Sequence, residues 1–161
     1  MRRKAWGALV GLSSGLLLVA CGRKAARTAG KETLAGSSRI VEVARRYVGT
    51  PYRLGGMDRK GMDCSGYVCT VFREAISYNL PRTADQQATV GQAVPISALR
   101  PGDLVFFREP GHRRITHVGI VSRIHQGQVY FLHASSTRGV TEDTLSLPYW
   151  QKRLVMARRI R

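Results

Sequence analysis

The hydrophobic pattern of this chain changes period once, near Gly91, and that change restricts the fold more than any other feature of the sequence. Before it, apolar residues recur at helical spacing: Ile40, Val41, Ala44, Tyr47 and Val48, then Val68, Val71, Phe72 and Ala75. After it come short apolar runs at 104–107, 117–121, 129–134 and 154–160, which read as strands. The punctuation agrees. Ser38 can cap a first helix, which Gly49 and the Thr50-Pro51 step end. Asp63 can cap a second helix, from Cys64 to about Ala75, after a glycine-rich loop over 51–61. Thr83 and Gln86 form a capping box for a short third helix that stops at Gly91. Arg100-Pro101-Gly102-Asp103 turns into the first strand, and Gly127 suits a hairpin between 117–121 and 129–134. Helices first and strands after predict an α+β domain, with N-terminal helices packed on an antiparallel sheet of five to six strands.

The first 20 residues have a different character. Arg2, Arg3 and Lys4 precede a mostly apolar stretch from 7 to 20, shorter than the roughly 20 apolar residues that a membrane span requires. The stretch ends Leu18-Val19-Ala20-Cys21-Gly22, which resembles the lipobox of bacterial lipoproteins. The resemblance implies a signal peptide over 1–20, cleavage before Cys21, and lipid carried on that cysteine. Several acyl chains, at about 0.8 kcal/mol per buried methylene, would anchor the chain without a spanning helix. Without Asp after Cys21, the run resembles lipoproteins sent to an outer membrane, facing the periplasm. Residues 21–37 read as a tether, polar and basic with no hydrophobic period. Its cations Arg23, Lys24, Arg27 and Lys31 suit anionic headgroups or plain solvent equally. Residues 38–161 then form one domain with one sizeable core.

Charge constrains partners. Twenty-six Lys and Arg face ten Asp and Glu, for a net +16, a field that favours anionic partners or simply keeps a surface soluble. The cations are scattered and accompany no zinc finger, helix-turn-helix or RNA-binding signature, so nucleic acid is not the expected partner.

The chemistry centres on cysteine and histidine. Of three cysteines, Cys21 falls to the lipid and Cys69 lies about 140° round the helix from Cys64, so the two do not pair readily. Cys69 reads as a small buried hydrophobe. Cys64 opens a helix, where partial positive charge and free N–H groups favour a thiolate. Among four histidines, His117 and His133 stand in apolar strand segments, whereas His112 and His125 stand in polar loops. If the two strands pair, both imidazoles can share one face, one taking the Cys64 proton and the other orienting it.

Five short runs carry a family resemblance: Pro51-Tyr52-Arg53-Leu54-Gly55-Gly56, Asp63-Cys64-Ser65-Gly66, Pro101-Gly102-Asp103-Leu104-Val105-Phe106-Phe107, His117-Val118-Gly119-Ile120 and His133-Ala134-Ser135. In this order and spacing, over about 38–161, they resemble the NlpC-type cell-wall cysteine peptidases. The resemblance implies a papain-like core with a Cys-His-His triad: Cys64 as nucleophile, His117 as base and His133 as the residue that orients it. It implies that Tyr52 lines the site, where its hydroxyl could join the Cys64 N–H in binding the oxyanion. Asp63 is expected to engage helix N–H groups or a substrate amine. Ser65 lies near the site by position, and Arg82 could pair with a carboxylate of an acidic stem peptide. The implied activity is a peptidoglycan endopeptidase, cutting amide bonds of stem peptides through a thioester. No cofactor or metal and a monomeric state are expected.

Three rivals keep the same residues. One is a lipoprotein binding or scaffolding module with a silent peptidase fold. Another is a lipid acyltransferase using the same dyad. The third is a zinc site made of Cys64, His117 and His133, although no ligand pair has zinc-finger spacing.

Overall fold

The computed structural model describes residues 36–161. The expected signal peptide, Cys21 and nearly all of the tether lie outside the described residues. Helix α1 covers residues 36–45 and runs into a turn at 46–49. Ser38 therefore lies inside the helix instead of capping it. Packing explains the difference: Ile40, Val43, Ala44 and Tyr47 are buried, and their docking carries the helix past the local cap signal. The predicted stripe is corrected with it, since Val43 is buried while Val48, beyond the helix, is 53% exposed.

The loop after α1 forms a miniature hairpin of β1 (Met57–Asp58) and β2 (Gly61–Met62). Helix α2 (Cys64–Ile76) follows at once, with Asp63 in extended backbone as its N-cap. Every residue from Ser65 to Phe72 is buried, so the start of α2 has no solvent face. Each buried Val or Phe there contributes about 1.5–3 kcal/mol, and the Tyr67 hydroxyl donates to the Ala44 carbonyl at 3.0 Å, tying α2 to α1. Gly66 admits this packing. A Cβ at that position would stand 2.1 Å from the Gly56 carbonyl oxygen, well inside van der Waals contact. Helix α3 (Ala84–Gln87) is capped by Thr83, as predicted, but lasts four residues and does not reach Gly91 as a helix.

Among the described residues eight strands form, six of them in the main sheet, where the sequence located four and predicted five to six. The main sheet contains β3 (Gln92–Val94), β4 (Leu104–Phe107), β5 (His117–His125), β6 (Gln128–Ser135), β7 (Gly139–Thr144) and β8 (Leu154–Arg159). Their spatial order is β3-β8-β4-β5-β6-β7, with antiparallel pairing throughout. Gln126 and Gly127, with φ of 48° and 74°, make the two-residue turn joining β5 to β6. The α+β architecture, helices on an antiparallel sheet of six strands, is the one that the change of period predicted.

The sheet buries both faces. On one side Leu104, Phe106, Val118, Ile120, Leu132 and Ala134 pack against α1 and α2. On the other, Val105, Phe107, Val121, Phe131 and Ala157 pack around Trp150 from α4 (Pro148–Gln151). Strand period places His117 and His133 on the second face, in register with Val121 and Phe131. Cys64 comes from the opposite side. The site forms where the start of α2 meets the start of β5. Among the described residues no helix is long and apolar enough to cross a membrane.

Candidate active site

Cys64 and His117 line one cleft of about 600 Å³, together with Tyr52, His133, Asp143 and Trp150. The backbone N–H groups of Val118, one residue beyond His117, of Ser65 and of Cys64 itself act to lower the Cys64 thiol pKa. The start of β5 thus borders the same cleft as the thiol. No hydrogen bond joins the Cys64 sulfur to the His117 ring in this structure. Such contacts commonly tighten only when substrate occupies the site.

The imidazoles are in direct contact. His117 Nε2 lies 2.9 Å from His133 Nδ1, and His133 Nε2 lies 3.0 Å from an Asp143 carboxylate oxygen. Aromatic rings enclose the pair. Trp150 stacks on His117 with centroids 5.4 Å apart and planes 21° apart. Phe131 stacks on His133 at 5.0 Å and 28°. His133 is 1% exposed.

Burial, and then the neighbouring His133, pull the His117 imidazole down from its ordinary value to about 3. Burial likewise lowers His133. Burial first, and the Asp63 carboxylate second, push the Cys64 thiol up against the pull of the three N–H groups. These directions favour a neutral thiol beside a neutral imidazole at rest. The thiolate expected from the helix terminus would then form as the proton leaves for the imidazole. Tyr52 lies in the same electrostatic neighbourhood. Its phenol is raised by burial and then by Cys64 and Asp63, and its backbone bridges to Met62 beside the helix start.

Asp63, Ser65 and Arg82 form a compact unit next to the thiol. The Asp63 carboxylate accepts from the N–H groups of Gly66 (2.7 Å) and Gly55 (2.8 Å) and from the Ser65 hydroxyl (3.2 Å). Arg82 donates to both carboxylate oxygens, at 3.0 and 2.6 Å, and to Ser65 Oγ at 2.9 Å. Burial opposes the Asp63 charge, but these donors outweigh it and hold the carboxyl below its usual range. Arg82, considered above as a partner for a substrate carboxylate, already has its guanidinium matched by Asp63. Cys69 is buried against Gln87 and the Leu80 and Pro81 carbonyls, away from the cleft.

Cys64, His117 and His133 do not converge as a ligand set. The two rings direct facing nitrogens at each other, and among the described residues no group of three His, Cys, Asp or Glu is arranged to hold a metal ion. Sequence reasoning missed Asp143, Arg138 and Trp150. Asp143 and Arg138 fall in and beside the polar stretch 139–144, which lacks the apolar run by which strands were recognised. The signal available was scarcity, since ten acidic residues in so basic a chain make each one worth placing.

Comparison with known proteins agrees with this fold. The profile of the NlpC/P60 family matches residues 49–159. The chain is 46% identical over 112 residues to "Probable endopeptidase NlpC" of Escherichia coli strain K12, covering 70% of each protein. It is 44% identical over 123 residues to "Murein DD-endopeptidase MepS/Murein LD-carboxypeptidase" of the same strain, covering 76% of this chain and 62% of that protein. Among solved structures, a family member from Bacillus cereus superposes with a TM-score of 0.68 at 27% identity. The match covers 76% of this chain and 39% of that one.

Proposed function

The chain belongs to the NlpC/P60 family, and from that premise we propose that it is a cell-wall endopeptidase that cleaves amide bonds in peptidoglycan stem peptides, with Cys64 as nucleophile. A relative named as a murein endopeptidase supports the substrate class, and one named as a probable endopeptidase supports the reaction. The observation that carries the mechanism is the seating of β5 on the start of α2. It brings the His117–His133 pair and Cys64 to one cleft.

The steps follow from the local chemistry. His117 takes the proton from Cys64 as the sulfur attacks the amide carbonyl. The oxyanion is stabilised by the Cys64 N–H at the helix start, with the Tyr52 hydroxyl as the nearby side-chain donor. His117 then protonates the departing amine, leaving a thioester that water hydrolyses with His117 as base. The anionic Asp63 and its partners Ser65 and Arg82 sit beside the thiol, suited to a free amine on the acyl side of the peptide. We further propose that residues 1–20 are a lipoprotein signal, that lipidated Cys21 and the 21–37 tether hold the 38–161 domain at an envelope membrane, and that the domain acts as a monomer.

Digestion of purified sacculi tests the reading. Wild-type protein should release muropeptides with new amine and carboxylate termini, identified by mass spectrometry, and Cys64→Ala should release none. Undiminished release by Cys64→Ala would remove covalent catalysis. Binding without release by both proteins would favour a silent scaffold, and transferred acyl chains would favour the lipid acyltransferase.

A further inference from the structure

Beyond the three residues of the proposed triad, a fourth is joined to it in line. Asp143 lies on β7, two strands from His117, and its side chain is 10% exposed. One carboxylate oxygen receives three neighbours: His133 Nε2 at 3.0 Å, the Trp150 indole N–H at 3.1 Å and the Arg138 guanidinium at 2.7 Å. Burial acts against its charge, but Arg138 and His133 outweigh burial and keep the carboxyl below its usual range.

An ionised carboxylate only accepts hydrogen bonds. His133 must therefore carry its proton on Nε2, and as a neutral ring it leaves Nδ1 bare. His117 Nε2, 2.9 Å away, must donate to that bare nitrogen. The His117 proton is thereby fixed on Nε2, and Nδ1 is the nitrogen left free to receive the thiol proton. We propose that Asp143, acting through His133, is a positioning residue that sets the His117 tautomer, with Arg138 and Trp150 holding its carboxylate. Trp150 serves both ends, donating to Asp143 while its ring lies against His117.

Removing the carboxylate should invert the relay as well as weaken it. Arg138 and Trp150 would then present their donors to His133 Nε2 and favour a bare nitrogen there. His133 would carry its proton on Nδ1 and donate to His117, whose own proton would move to Nδ1 and face the sulfur. A base in that tautomer has no lone pair for the thiol proton.

The catalytic part of this proposal rests on His117 being the base for Cys64; the tautomer part does not. The test is Asp143→Ala in the full chain. Nitrogen-15 spectra of labelled histidines read the tautomer, and steady-state cleavage of a defined muropeptide reads kcat and KM. The wild type should carry the His117 proton on Nε2, and the variant on Nδ1. kcat should fall roughly 10²–10³-fold with KM within about 3-fold, less than the roughly 10⁴-fold of a triad whose acid touches the base directly. A variant that keeps the proton on Nε2, or keeps kcat within about 3-fold, overturns the proposal. A wild type that cleaves nothing defeats the functional reading instead, and the spectra still decide the tautomer.

If Asp143→Ala does not fold, Asp143→Asn keeps the shape and removes the charge. The titratable and charged groups around the relay are Arg138, Cys64, Tyr52, Tyr149 and the Glu109–Arg153 pair lining the same cleft. Loss of the Asp143 charge should move the acid limb of kcat/KM to lower pH, because that charge favours imidazolium. Simple loosening would admit water and move the limb upward. An unmoved or raised limb overturns the proposal.

Discussion

Replacing Asp63 by Asn should destabilise the fold while making the Cys64 thiol more acidic, two effects of opposite consequence from one oxygen-for-nitrogen exchange. Both carboxylate oxygens accept: Oδ1 from Gly66, Ser65 and Arg82, Oδ2 from Gly55 and Arg82. An amide can keep only one of them as an acceptor. With its oxygen toward Gly66 the helix cap survives, since Asn caps as well as Asp. Its NH2 then confronts the Gly55 N–H and the nearer Arg82 nitrogen, donor against donor. A lost charge-assisted bond costs about 1.5–3 kcal/mol. The Arg82 ion pair adds a discounted share of about 0–1 kcal/mol, because Arg82 is 37% exposed. The sum, about 1.5–4 kcal/mol, is measurable by chemical denaturation followed by tryptophan fluorescence. Asp63 also raises the thiol through its charge, and its removal leaves Arg82 unopposed nearby. The pH dependence of Cys64 alkylation, resolved from Cys69 by peptide mass spectrometry, should shift to lower pH. A stability loss below about 0.5 kcal/mol, or a thiol pKa unchanged or raised, would refute the account of Asp63 as both clamp and opposing charge.

Two further outcomes follow from the same coordinates. Gly66→Ala forces a methyl to within 2.1 Å of the Gly56 oxygen. It should cost about 1–3 kcal/mol in urea denaturation and slow Cys64 alkylation as the loop shifts, and a neutral result would show that the loop yields freely. His117 gives a pH prediction. Its folded-state value, about 3, is depressed below the unfolded value near 6.5. The unfolded chain binds the proton first, so stability falls as pH drops from about 6.5 toward 3. Discounting for the open side of the cleft, the loss attributable to this ring is on the order of 2–4 kcal/mol. His117→Asn should flatten that part of the acid curve; an equally steep variant would assign acid sensitivity to other groups.

Local chemistry determined much of this protein. The period change near Gly91 determined the α+β order. Asp63 and Thr83 marked two helix starts, because a capping side chain acts within three residues of itself. The Pro-Gly-Asp turn and the Gln126-Gly127 turn delimited strands for the same reason. His133 and His117 could be suspected because polar rings in apolar strand segments call for a partner. Where contacts come from afar, the sequence was silent or misleading. The first helix overrides its cap at Ser38 because core packing outweighs a local hydrogen bond. Strand β7 has no apolar run, since its pairing comes from the β6 backbone and its side chains serve Arg45, Arg123, Arg138 and His133. Trp150 sits in a four-residue helix that has meaning only against the aromatic face of the sheet. The acid that bonds His133 stands ten residues beyond it in the chain and 3.0 Å from it in space. Capping and turn signals travel a few residues along the backbone, whereas the charge and packing that tune a buried imidazole arrive through space, and only the folded sheet decides which they are.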